Sequence, residues 1–206
     1  MGITWKGPGM AHIDFYYSLI SPFTYMAGDR PVQIATKHGA TITHRPCDLM
    51  NVFSKTGGVP VPQRAPARQE YRLQELPRLA RRAGVPLTLH PKHWPVDATT
   101  AMLSVIAVDA LGGAPSPISL AFLRACWAEE RDISDPGTID EILTSLGHPV
   151  AGDLDLDAAR QVYDANTQMA LENGVFGAPF FVVDGTERFW GQDRLDYLDD
   201  YLRSEP

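Results

Sequence analysis

The chain has 206 residues, of which 44% are hydrophobic and 21% are charged. This composition is typical of a globular protein with one domain, or one domain carrying a large insertion. The formal net charge of -7 argues against nucleic acid as the main partner, because phosphate binding needs clustered Lys and Arg.

The first part of the chain predicts a strand, a helix and a second strand. Residues 12–18 are apolar and aromatic over the length of a strand. Ser21–Pro22 follows, and this pair suits the cap and first position of a helix that we expect to run to about residue 38. Pro31 is expected to bend that helix. Residues 40–46 alternate and are rich in β-branched side chains, which indicates the second strand.

The middle of the chain predicts a loop and then helices. Residues 51–68 contain two adjacent glycines and three prolines and have no periodicity, so we expect a long loop. Apolar positions then recur at helical spacing as far as about residue 173. The apolar face of the first of these helices is expected to comprise Leu73, Leu76, Leu79, Ala80 and Ala83. Five helical segments are predicted, at 69–84, 97–113, 116–130, 135–147 and 155–174.

The C-terminal part returns to strands. Two apolar runs flank Asp184–Gly185, a pair typical of a tight hairpin, and residues 192–204 form an amphipathic helix pattern. The order of elements predicts an α/β protein, a thioredoxin-like domain interrupted by a large all-helical insertion. We expect the thioredoxin-like domain at 11–50 and 174–206, and the loop and helical insertion at 51–173.

Two local features predict where a site would lie in this arrangement. Ser21 begins the first helix, where a redox protein of this fold carries two cysteines, and Pro179 directly precedes the hairpin. Disulfide exchange needs a thiolate, so this site needs sulfur from a bound molecule. Unpaired N–H groups and the dipole at a helix N-terminus favour such an anion. The two cysteines, Cys47 and Cys126, are far apart in the sequence, and two free thiols in a reducing cytoplasm are favoured over a disulfide.

Three segments carry a family resemblance. The strings "DFYYSLISPFTY" (14–25), "ENGVFGAPFFVVDG" (172–185) and "RFWGQDRLDYL" (188–198) resemble the 2-hydroxychromene-2-carboxylate isomerases. That family belongs with kappa-class glutathione transferases in the DsbA-like branch of the thioredoxin superfamily. The resemblance extends over about residues 12–203.

The resemblance implies a glutathione cofactor and assigns residues to it. Ser21 matches the serine that holds and activates the glutathione sulfur. Ala178, before the expected cis-proline Pro179, matches the position whose backbone pairs with the cysteinyl part like an added strand. The turn that grips the γ-glutamyl end matches Gly191, Gln192 and Asp193. The resemblance also implies a small aromatic-derived substrate, a homodimer and a cytoplasmic location.

Substrate contacts are expected from the long loop and its surroundings. The polar residues with which we predict these contacts are Asn51, Gln63, Arg68 and Lys92. Gly58 stands where the family usually has asparagine. This difference affects the expected identity of the substrate more than that of the cofactor. The six histidines are scattered without metal-ligand spacing, and no apolar run is long enough for a membrane span, so neither a metal site nor a membrane association is expected.

Three functions remain open from the sequence. The first is a glutathione-dependent isomerase acting on a conjugated 2-oxo acid or chromene carboxylate. The second is a kappa-like glutathione transferase, in which the same adduct leaves as the product. The third is a thioredoxin-like binding module without catalysis; a disulfide oxidoreductase is the least favoured because Ser21 and Thr24 replace both cysteines.

Overall fold

The structure is a computed structural model that describes residues 10–204. Four strands form one mixed sheet in the order β2-β1-β3-β4. Strand β1 (His12–Tyr17) pairs in parallel with β2 (Thr41–Pro46) and antiparallel with β3 (Phe180–Val183), which pairs antiparallel with β4 (Glu187–Trp190). The strands that the sequence predicts are therefore present, within a residue or two at their ends.

The register of the sheet brings two distant parts of the chain to one edge. Tyr16 near the end of β1 lies opposite Phe180 at the start of β3. The residues that leave β1 and the residues that enter β3 therefore lie side by side. This pairing places the segment containing Ser21 next to the segment that ends at Pro179.

The first helical region differs from the prediction of one bent helix over residues 22–38. It consists of α1 (Pro22–Ala27) and α2 (Arg30–Lys37). Gly28 has φ 58° and ends α1, because a residue with positive φ cannot continue a right-handed helix. Pro31 lies in the first turn of α2, where its missing N–H costs nothing, so it does not bend a helix.

The predicted loop over residues 51–68 is also wrong in part. Helix α3 (Leu49–Thr56) begins after Asp48, whose carboxylate accepts hydrogen bonds from two backbone N–H groups of the first turn. A 3₁₀ turn follows at Val61–Gln63, and α4 (Pro66–Ala83) then begins. The eight-residue α3 is too short to show a helical period, and the glycines and prolines lie between elements rather than throughout a loop.

The remaining helices follow the prediction closely. Helix α9 (Leu195–Ser204) is preceded by a 3₁₀ turn at Gln192–Arg194. The hairpin between β3 and β4 is confirmed, with positive φ at both Asp184 (48°) and Gly185 (72°). The other four helices are α5 (Thr99–Ala110), α6 (Pro115–Trp127), α7 (Pro136–Ser145) and α8 (Leu156–Glu172).

One large hydrophobic core joins the sheet to the inserted helices. Phe15 and Phe181, stacked with their ring centroids 4.9 Å apart, share this core with Met102 of α5 and Trp127 of α6. The inserted helices therefore pack directly on the sheet. Whether residues 51–173 fold as a separate domain stays a prediction. Within residues 10–204, no helix is long and apolar enough to cross a membrane.

Candidate functional site

Ser21 lies buried between α1 and the loop before β3. Its Oγ accepts a hydrogen bond from the Thr24 N–H at 3.2 Å, which makes it the N-cap of α1. The same hydroxyl donates to the Ala178 carbonyl oxygen at 3.3 Å, which is long for an O–H donor and therefore weak. The structure thus brings together Ser21 and Ala178, which are 157 positions apart in sequence.

The loop before β3 is fixed from its other side by the turn after β4. The Ala178–Pro179 peptide bond is cis, as expected. The Pro179 carbonyl accepts a hydrogen bond from the Gly191 N–H at 2.9 Å. The Ala178 N–H donates no hydrogen bond within the described residues. One backbone donor is therefore free for a ligand beside Ser21.

The turn at Gly191–Asp193 packs against α1, so the predicted cofactor residues form one group. Gly191 has φ 103°, and a Cβ there would lie 2.5 Å from Asp193 Oδ1. Gln192 is buried. The Asp193 carboxylate, half exposed, accepts a hydrogen bond from Arg194 Nη1 at 2.9 Å. The Asp193 carboxylate is accessible to the ammonium group of a ligand. Arg194 and that ammonium would then share the carboxylate.

The contribution of the helix dipole is smaller than the sequence suggested. Helix α1 has six residues, and Pro22 at its first position carries no N–H. The Thr24 N–H is taken by Ser21, which leaves the Phe23 N–H without an acceptor among the described residues. Local donors, namely the Ser21 hydroxyl and the Phe23 N–H, are therefore the main groups that can stabilise an anion here.

The four residues predicted to contact substrate make no hydrogen bond or ion pair with Ser21. Asn51 lines a groove of about 170 Å³ between α3 and α8, together with Asp48 and Thr167. Gln63, Arg68 and Lys92 are exposed. None of the four makes a side-chain hydrogen bond or ion pair with Ser21, Ala178 or the Gly191–Asp193 turn. Their substrate role therefore stays a prediction.

Gly58, the departure from the family pattern, has a packing reason. A Cβ at this position would lie 2.2 Å from Cδ1 of Phe53, and within 2.9 Å of its Cβ. The Phe53 side chain occupies the space that an asparagine side chain would need. The region between α3 and α4 is therefore built around a glycine in this chain.

Arg72 of α4 is a residue near the site that the sequence analysis missed. It is 7% exposed, although the predicted apolar face of this helix did not include it. Its guanidinium carbon lies 5.1 Å from the ring centroid of Trp94, and the Trp94 Nε1 donates to the Ile20 carbonyl at 3.0 Å. Burial, and secondarily the charge of Arg64, lower the pKa of Arg72 to about 10. The available signal was its position four residues before Leu76, the buried centre of the helix face.

Neither cysteine belongs to the site. Cys47 and Cys126 are free, as predicted; both are also buried, and burial raises the pKa of each thiol to about 12. Among residues 10–204, no group of three or more His, Cys, Asp or Glu side chains could hold a metal ion. The chemistry of this site therefore has to come from the Ser21 hydroxyl, the backbone and a bound molecule.

The fold and the site together define a thioredoxin-like protein with a serine at the N-terminus of its first helix. A family model described as a DSBA-like thioredoxin domain matches residues 12–203. A 2-hydroxychromene-2-carboxylate isomerase from Pseudomonas putida is 30% identical, with 91% of this chain and 92% of that protein covered. The chain therefore belongs to the 2-hydroxychromene-2-carboxylate isomerase family of DSBA-like thioredoxin proteins.

Two further comparisons agree with this family. The Caenorhabditis elegans protein named glutathione S-transferase kappa 1 is 27% identical, with 95% of this chain and 92% of that protein covered. A solved structure of a 2-hydroxychromene-2-carboxylate isomerase superposes with a TM-score of 0.74 at 26% identity, covering 93% of this chain and 94% of that one. The thioredoxin-like fold with helices inserted into it is thereby confirmed.

Proposed function

We propose that the protein is a glutathione-dependent isomerase that acts on a 2-hydroxychromene-2-carboxylate or a related conjugated 2-oxo acid. The isomerases among its relatives support the reaction class, and the kappa-class transferase supports the cofactor. The observation that carries the proposal is the contact between the Ser21 hydroxyl and the Ala178 carbonyl. It puts a hydroxyl donor beside backbone groups that can pair with an extended peptide.

The residues at the site fit the cysteinyl part of glutathione. Ala178 offers a free N–H and a weakly bonded carbonyl, which are the groups that an added strand uses. A ligand cysteine paired with Ala178 brings its sulfur towards Ser21. The exposed carboxylate of Asp193, on the turn joined to Pro179, suits the ammonium of the γ-glutamyl end.

Ser21 provides electrostatic stabilisation in this proposal and not nucleophilic attack. No histidine or carboxylate hydrogen-bonds to its hydroxyl within the described residues, so nothing there removes its proton. When bound, glutathione would supply a thiolate for reversible addition to a carbon conjugated to a carbonyl, and so would act as a cofactor that is not consumed. The Ser21 O–H and the Phe23 N–H lower the free energy of that thiolate, and the surrounding backbone fixes its position.

Glutathione transfer is the second candidate, supported by the kappa-class relative. It uses the same site and differs in releasing the adduct. The proposal also includes a homodimer in the cytoplasm, where glutathione is abundant and two unpaired cysteines stay reduced. A binding module without catalysis predicts no glutathione affinity and no effect of Ser21→Ala on function.

Calorimetry with glutathione, followed by product analysis, tests the proposal. We expect saturable binding at millimolar glutathione and conversion of 2-hydroxychromene-2-carboxylate to an isomer of equal mass, with glutathione recovered unchanged. A product that retains glutathione would identify a transferase. Absence of binding by the folded protein would refute both.

A further inference from the structure

Arg72 is buried in α4, close to the segment that leads into Ser21. Leu76, one turn further along α4, packs against Met26 of α1, so this face of α4 covers the helix that begins after Ser21. The Trp94 indole lies between Arg72 and the main chain of Ile20. One aromatic ring therefore separates the guanidinium from the residue that precedes Ser21.

One edge of this guanidinium has no acceptor. Nε and Nη2, which together can hold both oxygens of a carboxylate, are shielded from solvent and have no hydrogen-bond partner within the described residues. The Nε1 of Trp127 is also buried and unpartnered, and the ring centroid of Trp127 lies 5.9 Å from the guanidinium carbon. Buried donors without acceptors are rare because they are costly. Three such donors on two neighbouring side chains indicate a place for an anion.

The charges around Arg72 favour the same ligand. Burial is the main cause that lowers the pKa of both Arg72 and Arg64. The charge of Arg64 lowers the pKa of Arg72 further, and the charge of Arg68 does the same to Arg64. None of the three arginines forms an ion pair with a carboxylate among the described residues, although the chain carries a net charge of -7. A positive cluster without an acidic partner attracts anions.

We propose that Arg72 binds the carboxylate of the substrate and thereby sets the specificity of the site, an inference that rests on the proposed function. The two carboxylate oxygens accept parallel hydrogen bonds from Nε and Nη2, and the Trp127 N–H supplies a third donor. Because these nitrogens are shielded from solvent, entry of the carboxylate requires neighbouring side chains to move.

A pair of ligands that differ in charge alone tests this assignment. Trans-cinnamate is a conjugated aromatic carboxylate, and cinnamamide is its neutral isostere. Calorimetry compares them on the full-length wild type, Arg72→Met and Arg72→Lys, with Arg81→Met as the control for loss of an exposed charge on the same helix. We expect the wild type and Arg81→Met to prefer cinnamate by roughly tenfold or more. Arg72→Met should lose the preference and Arg72→Lys should keep part of it. No preference in the wild type, or an unchanged preference in Arg72→Met, overturns the proposal.

Catalysis and stability separate this role from the alternatives. The carboxylate contact is made in both ground and transition states, so Arg72→Met should raise KM for the chromene carboxylate by roughly 10- to 100-fold with kcat nearly unchanged. Removing a buried unpaired charge should leave the unfolding free energy equal or higher, whereas a purely packing role predicts a less stable variant with unchanged selectivity. If the wild type does not bind glutathione but still prefers cinnamate, the proposed function fails while the assignment of Arg72 stands.

Discussion

Replacement of Ser21 by alanine separates its two roles, because the same oxygen caps α1 and faces the ligand. Loss of the cap leaves the Thr24 N–H unpaired and costs about 1 kcal/mol of unfolding free energy. Loss of a hydrogen bond to a thiolate costs about 1.5–3 kcal/mol. At about 1.4 kcal/mol per pH unit, Ser21→Ala should raise the pKa of the bound glutathione thiol by about one to two pH units.

A matched variant removes a cap without touching the site. Asp135 caps α7 by accepting from the Thr138 N–H at 2.8 Å. Asp135→Ala and Ser21→Ala should both lower the melting temperature by a few degrees, about 2–4 °C per kcal/mol for a chain of this size. The assay is the ultraviolet absorbance of the thiolate in the glutathione complex as a function of pH. Only Ser21→Ala should shift the titration. If the bound thiol titrates alike in wild type and Ser21→Ala, the role assigned to this hydroxyl is refuted.

Three other predictions follow from backbone strain, burial and charge. Gly191→Ala should lower the unfolding free energy by about 1–3 kcal/mol and weaken glutathione binding, because φ is 103° and the new Cβ meets Asp193. Gly152→Ala, where the new Cβ has open space, should change neither the unfolding free energy nor the binding. Burial lowers the pKa of His44 to about 4, so its stabilising contribution is complete above about pH 6.5 and is lost as the pH falls towards 4. Urea unfolding at about pH 7.5 and about pH 4.5 should show that His44→Gln loses less stability than wild type, by about 2.5 kcal/mol, and an equal loss would contradict this. Both cysteine thiols should resist labelling at about pH 8 in the folded protein, since burial raises their pKa to about 12; rapid labelling would show an accessible thiol.

Local patterns made much of the fold predictable. The strands and the hairpin follow from alternation, β-branched residues and the Asp184–Gly185 turn, all of which act between neighbours in sequence. The break at Gly28 was missed because a glycine inside an apolar helical pattern is compatible with either continuation or a stop. Helix α3 was missed because its cap, Asp48, acts on a helix too short to show a period.

The candidate site also contains one part that was predicted from the sequence and one part that depends on contacts between distant segments. Ser21 and Ala178 were expected to meet because a known family resemblance supplied the long-range pairing, and the sheet register now gives its structural reason. Within α4, the position of Arg72 four residues before the buried Leu76 is the one signal that separates it from an exposed arginine, and it is a weak one. Its burial depends on Trp94 and Trp127, which come from two other segments of the chain.

The Ser21 hydroxyl has a single proton, and this limits how the site can work. In the structure the proton is directed to the Ala178 carbonyl over a long hydrogen bond. Directing it to a thiolate leaves that carbonyl without its partner, which is unfavourable unless another donor replaces it. An extended ligand whose own N–H pairs with Ala178 provides the replacement. Peptide pairing and thiolate stabilisation are therefore coupled through one proton, which favours a peptide thiol such as glutathione over a simple thiol at this serine.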